Sequence, residues 1–421
     1  MHNKTTHFQR GRILRVPHPS QSHREGWGIR ALREPLSLPG WKYIVTLLVA
    51  STLTAHAQWD IQESHTTASL RGVHNVGSGV AWASGTNGTV LRTTDNGANW
   101  QTCPTPPGAE KLDFRGIQAF DENTAIVMSS GKGDLSRLYK TTDGCRTWKL
   151  LFTNPDKEGF WDAIAFTQKP RNAQERCFGT VVGDPVERHF AIFLTLDCGD
   201  SWEKQIRQSP EALPPGEGLF AASNSSLIVY GPQARKFVTG GEGGAREMYF
   251  WVGVDDTNQP DPLKVMPGAK EFRMVSRGWN VEPLPNPSPN VSSGAFSIAD
   301  DGYHSVIVGG DYSHTEKGLA WYEGSYRLAD KTLWHLSIHP PHGYRSAVAY
   351  DPTTKTWITV GPNGTDISTD DGKNWRPLKP TATDPPDADK NWNALSLPFV
   401  VGPKGRIGKL RPTTINTAVK P

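Results

Sequence analysis

The chain has 421 residues, and its 45 Lys and Arg against 42 Asp and Glu leave a formal net charge of only +3. That balance excludes a global field able to gather nucleic acid or an anionic membrane surface. Aromatics at 10%, with 15 Trp, exclude a disordered chain, while Gly 42 and Pro 33 suit a turn-rich β protein.

The first segment reads as processing information. Trp41-Lys42-Tyr43 leads into the apolar run Ile44 to Ala50, and a small-x-small site comes next at Ala55-His56-Ala57. A basic flank, a short apolar run and such a site describe a secretory signal cleaved after Ala57; an uncleaved anchor is the alternative. Residues 1–57 are therefore assigned to an N-terminal extension and signal, and the mature chain is expected in the periplasm or outside the cell, with no stable membrane span. The length and Pro, His and Arg content of residues 1–39 suit a start assigned too far upstream.

Four segments then share one pattern. They are Thr93 to Trp100, Thr141 to Trp148, Thr195 to Trp202 and Ser368 to Trp375, each reading Ser/Thr-x-Asp-x-Gly-x-x-Trp, with the Gly one position early in the second. This Asp-box is a hairpin turn in which the carboxylate accepts backbone N–H groups, Gly supplies a positive φ and Trp packs beneath the hairpin. Asp95, Trp100, Asp143, Trp148, Asp197, Trp202, Asp370 and Trp375 are accordingly structural residues. The boxes recur at about 50 residues, the period of propeller blades. The long gap between Asp197 and Asp370 holds two degenerate repeats, from Gly218 through Leu227–Tyr230 to Trp279, and from Gly294 through Val306–Gly310 to Trp334.

The two ends supply a seventh repeat. Phe399 to Ile407 parallels Ala81 to Val90 but stops without a fourth strand, and Trp59-Asp60-Ile61-Gln62 resembles the short stretches immediately after the other boxes. The sequence thus predicts an all-β, seven-bladed β-propeller of four-stranded blades over 58–412, its N-terminal strand closing the last blade. Residues 413–421 read as a loose tail. A monomer is expected.

Cys103, Cys145, Cys177 and Cys198 lack zinc spacing, so no metal site is expected. Cys177–Cys198 falls within one blade and is the pairing to test first, against four separate buried thiols. Aligning repeats on their boxes places Arg71, Arg115, Asp162, Glu217, Gly294, Arg345 and Asn393 at the entries to the channel-lining strands. The loops between second and third strands bring Asp184, Asp311 and Tyr312 to the same face. Charges of both signs beside an aromatic make a polar pocket suited to a protein or carbohydrate ligand. Glu217 and Asp162 are the candidate catalytic pair of a hydrolase alternative. No Gly-x-Gly-x-x-Gly precedes a helix and no Cys-x-x-Cys-His occurs, so no cofactor is expected. Gly240 to Gly244 reads as a flexible loop.

The boxes resemble those of sialidases, sortilin-type receptors and photosystem II stability/assembly factor-like proteins. Gly216 to Ser223, Val308 to Tyr312 and Gly343 to Val348 resemble the exported bacterial branch of the last group. That resemblance covers most of 59–410 and implies a propeller acting in assembly or partner binding, with Arg71, Arg115 and Arg345 carrying the contact. The sialidase resemblance implies a carboxylate held by those three arginines, Tyr344 as nucleophile with Glu217, and Asp162 as acid/base. The Arg-Ile-Pro segment typical of the first sialidase arginine is replaced by Leu70-Arg71-Gly72-Val73, which favours binding over hydrolysis.

Overall fold

The computed structural model describes residues 59–167, 177–205, 213–231, 234–254, 274–324, 333–380 and 384–411. The expected signal segment and the tail after 412 lie outside these residues. Almost everything described is strand or turn, a single 3-10 turn at Gly133–Leu135 excepted. No helix among the described residues is long and apolar enough to cross a membrane.

The strands form seven antiparallel sheets. Blade 1 comprises Leu70–Gly77, Val80–Gly85, Val90–Thr93 and Gln101–Thr102; blade 2 comprises Phe114–Ala119, Ala125–Ser129, Arg137–Thr141 and Lys149–Thr153. Blade 3 is Trp161–Phe166, Gly179–Val186, His189–Thr195 and Glu203–Lys204, and blade 6 is Ala347–Asp351, Thr356–Gly361, Gly364–Ser368 and Arg376–Pro377. Blade 7 joins Ala394–Ser396, Phe399–Val401 and Ile407–Leu410 to the N-terminal strand Trp59–Gln62, with Trp59 opposite Leu410. The first strand of every blade packs against the first strands of both neighbours in cyclic order, so the seven sheets form a closed ring.

Blades 4 and 5 lack the box and depart from the expected register. Blade 4 begins at Leu227–Gly231 and continues through Ala234–Val238, Ala245–Val254 and Met274–Leu284. Blade 5 is Ser293–Asp300, Ser305–Asp311, Gly318–Glu323 and Trp334–Leu336. Glu217–Gly218, expected to open a channel strand, instead pairs with Gly240–Gly241, which in turn pairs at Gly294 on the inner edge of blade 5. The Gly240 region is therefore an ordered strand rather than a flexible loop. Its glycines are sterically required: a methyl on Gly294 would lie 2.4 Å from the Gly240 Cα.

The recurring turn explains the boxed positions. Thr93 Oγ1 donates to Asp95 Oδ1 at 2.8 Å and accepts the Gly97 N–H at 3.0 Å, while Asp95 accepts the backbone and side-chain N–H of Asn99. The same network recurs around Asp143, Asp197 and Asp370. Hydrogen bonds from Thr147, side chain first, hold Asp143 down to about 2. Each turn has two consecutive left-handed residues: Asn96 and Gly97, Gly144 and Cys145, Cys198 and Gly199, Asp371 and Gly372. Either position accepts glycine, so the shifted Gly144 costs the second turn nothing.

Seven hydrophobic clusters fill the seven boundaries between blades. Trp82, Val90, Phe114, Ile117 and Tyr139 join blades 1 and 2, and Trp59, Ile358, Ile367, Trp392 and Val400 join blades 6 and 7. Each fully buried Leu, Phe or Met contributes roughly 1.5–3 kcal/mol, so blade-to-blade contact carries most of the stability. The disulfide is Cys103–Cys145, across the first of these boundaries, and not the expected Cys177–Cys198. Cys177 and Cys198 are free thiols on neighbouring segments, joined through a Cys198 N–H to Cys177 carbonyl bond of 3.2 Å.

Candidate functional site

Four of the seven channel-lining strands share one local irregularity. A β-bulge interrupts the ladder between Leu70 and Gly72, Phe114 and Gly116, Trp161 and Ala163, and Ala295 and Ser297. A bulge leaves its extra residue unpaired and re-aims the side chain. The four bulged residues are Arg71, Arg115, Asp162 and Phe296, and all four line one cavity of about 420 Å³ at the channel mouth. A small residue comes after each of them because the ring is tight there; a methyl on Gly116 would meet Ile164 at 2.8 Å.

The arginines converge on Asp113. Arg115 Nε donates to Asp113 Oδ2 at 2.8 Å and its Nη1 to the Ala221 carbonyl at 3.0 Å. Arg71 Nε stops 3.8 Å from Asp113 Oδ1, and neither atom has a hydrogen-bond partner. Burial, then the nearby Arg115, lowers the Arg71 pKa against the pull of Asp113. One carboxylate thus serves two guanidinium groups, both of which belong to residues lining the cavity.

An aromatic wall faces them. Phe220 stacks on Phe296 with ring centres 4.0 Å apart, and Tyr312 and Tyr344 meet Phe296 edge-on at 6.2 Å and 4.8 Å. Burial pushes the Tyr344 phenol above its ordinary range, so it keeps its proton. Asp162 and Asp184 form the acidic side. Asp184 Oδ1 accepts the Leu219 N–H at 2.9 Å, and burial raises its pKa.

Asp162 is 1% exposed and its Oδ2 has no hydrogen-bond partner. Burial, then the Asp184 charge, pushes its carboxyl well above the usual range despite backbone N–H groups and Arg115. A raised carboxyl pKa makes ionisation a cost that grows with pH and vanishes below about pH 4. Asp162→Asn is therefore expected to raise the urea midpoint at neutral pH, the gain shrinking as the pH is lowered toward 4. An unchanged midpoint at neutral pH would mean that the carboxyl ionises there without penalty.

Of the residues singled out in the sequence, Arg71, Arg115, Asp162, Asp184, Tyr312, Tyr344 and Asn393 come together at this mouth. Four do not line it, Gly294 among them, which pairs with Gly240 at the inner edge of blade 5. Arg345 is fully buried, its Nε and Nη2 on Asp366 and its Nη1 on the Tyr344 carbonyl. Glu217 is held by Arg246 and by the Thr239 hydroxyl at 2.7 Å. Asp311 organises its own loop: against burial, the hydroxyls of Ser313 and Ser292 and the Asn290 amide lower its pKa.

Asp113, Phe220 and Phe296 were missed. The bulge signature, a small residue after each projecting one, was available in Arg71-Gly72, Arg115-Gly116 and Phe296-Ser297. No metal cluster was expected, yet Asp301, His304 and Asp371 bring three ligand-type atoms within 4.8 Å of one another at the boundary of blades 5 and 6. His304 already pairs with Asp301 there at 3.6 Å.

No protein-family model matches the sequence, and no curated protein matches it. Among solved structures the chain is similar to YCF48 bound to D1 peptide, with TM-score 0.50, 16% identity and coverage of 84% of this chain and 97% of that one. It is also similar to YCF48 from Cyanidioschyzon merolae, with TM-score 0.51, 16% identity and coverage of 85% and 100%. The GH74 xyloglucanase from Xanthomonas campestris gives TM-score 0.53 and 14% identity over 84% of this chain and 53% of that one, so the chain spans about half its length. At such identities the likeness is one of fold, and the fold is a seven-bladed β-propeller.

Proposed function

We propose that this chain is an exported Asp-box propeller that captures an anionic segment of a partner protein at its channel mouth. The observation that carries this reading is the pair of bulges that project Arg71 and Arg115 into one cavity beside stacked aromatics, with the single carboxylate of Asp113 shared between the two guanidinium groups. Guanidinium forks bind carboxylates strongly, and aromatic side chains supply contact area at low entropic cost. A propeller of similar fold bound to a peptide, YCF48 with D1 peptide, lends support. A hydrolase of the sialidase kind has less in its favour: Glu217 lies outside the cavity lining and its two oxygens are occupied by Arg246.

The test is affinity capture from the native envelope with wild type and with Arg71→Gln plus Arg115→Gln, read by quantitative mass spectrometry. Proteins specific to the wild type are expected to be depleted at least about tenfold in the double variant, with circular dichroism unchanged. Equal capture by both would move the binding face elsewhere. Turnover of fluorogenic glycosides that disappears in Asp162→Asn would establish the hydrolase instead.

A further inference from the structure

A second polar cavity, of about 820 Å³, opens beside blades 6 and 7 and shares only Pro362 with the channel-mouth lining. His342, on the loop entering blade 6, and Asp389, on the connection to blade 7, stand in its wall with Asn363, Lys379, Asp384 and Lys390. Asp389 is 5% exposed, and its Oδ1 has no hydrogen-bond partner. Burial raises its pKa although Lys390, His342 and Arg345 all pull the other way.

His342 is set by its neighbours. Its Nδ1 lies 2.7 Å from Asp366 Oδ1, on a carboxylate already gripped by Arg345. An ionised carboxylate only accepts, so Nδ1 carries a proton, and in the neutral ring this leaves Nε2 as the acceptor. Arg345 Nη2 also approaches Nδ1, at 3.2 Å, but the shorter contact to Asp366 decides the tautomer. Gly364 marks where the two acceptors meet: a methyl there would lie 3.1 Å from Asp389 Oδ2 and 3.3 Å from His342 Nε2.

Two acceptors therefore converge on one side of a cavity whose rim carries the exposed side chains of Lys379 and Lys390. A cation entering would meet those ammonium groups; an anion would meet the carboxylates of Asp389 and Asp384. A hydroxyl group avoids both conflicts, because it donates to the carboxylate and to Nε2 while accepting from an ammonium. Pro380 and Pro386 add apolar surface to the wall, and the volume suits a ligand of two or three rings.

We propose that this cavity binds neutral carbohydrate, neighbouring hydroxyls donating to Asp389 and His342 Nε2 and accepting from Lys379 or Lys390. The site is separate from the channel mouth and does not depend on the protein-capture reading.

The test is saturation-transfer difference NMR on the full chain, with cellobiose, maltose and lactose at millimolar concentration as probes. At least one disaccharide is expected to give signal, and Asp389→Asn is expected to weaken it about tenfold. Lys390→Ala, on the exposed rim, should weaken it as well, and it supplies the answer if Asp389→Asn folds poorly. Arg71→Gln plus Arg115→Gln should leave the signal unchanged, which separates this site from the mouth. The proposal is overturned if none of the three sugars binds, if binding survives the cavity variants, or if zinc chloride or sodium phosphate binds in an Asp389-dependent way instead.

Discussion

Reducing the Cys103–Cys145 disulfide is expected to destabilise the folded chain by about 4 kcal/mol, the chain-entropy value for a closed loop of this length. The two cysteines are 42 residues apart in sequence, with Cα atoms 5.6 Å apart. Cys145 occupies the second left-handed position of the blade 2 turn, where its N–H donates to Thr141 Oγ1, and Cys103 comes directly after the last strand of blade 1. The bond therefore ties two blades at a boundary otherwise held by apolar packing. Urea unfolding of wild type with and without reductant, beside Cys103→Ser plus Cys145→Ser, measures the effect. Thiol titration of the unfolded, unreduced protein should find only the two thiols of Cys177 and Cys198. Four titratable thiols, or a midpoint indifferent to reductant, would rule the link out.

The second large effect is expected at Arg345. Arg345→Met should destabilise the protein by about 3 kcal/mol, because it leaves the buried Asp366 carboxylate with His342 as its remaining side-chain partner. Both side chains are almost wholly inaccessible, 0% and 1% exposed. Replacing both at once, with Arg345→Met and Asp366→Leu, should recover most of the loss, since an apolar pair of similar volume matches a buried ion pair. Urea midpoints of the two variants decide this. A single variant as stable as wild type would mean that the pair is solvated or that Asp366 is protonated at little cost. The effect is on folding, which is the practical distinction between Arg345 and the two arginines at the mouth.

The ring was legible because its signal is local. Each box specifies its own turn through groups within four residues of the Asp, so four copies establish period and register without knowledge of distant contacts. The N-terminal strand was placed by the same logic, since Trp59-Asp60-Ile61-Gln62 resembles the strand after each turn. Register along that period also brought Arg71, Arg115, Asp162 and Asp184 to one mouth.

It failed where no box anchors it. The entry to blade 4 was read at Glu217, but residues 219–222 line the mouth and the first strand starts only at Leu227, so the charge fell out of step. Arg345 occupies an entry position like Arg71, yet its fate was decided by Asp366, two strands away within the same blade. Cysteine pairing failed for a related reason. A repeat alignment groups residues within a blade, whereas the bond formed between blades.

The ring closes with a strand from the opposite end of the chain: Trp59–Gln62 lies against Ile407–Leu410, and Trp59 is buried in the cluster between blades 6 and 7. Until Ile407–Leu410 has been made and has docked on Trp59–Gln62, blades 1 and 7 each present a bare apolar flank. Assembly is consequently an all-or-nothing event tied to synthesis of the Ile407–Leu410 strand. A chain stopped a few dozen residues early is left with a sticky seam rather than a shorter ring, a natural substrate for chaperones and proteases.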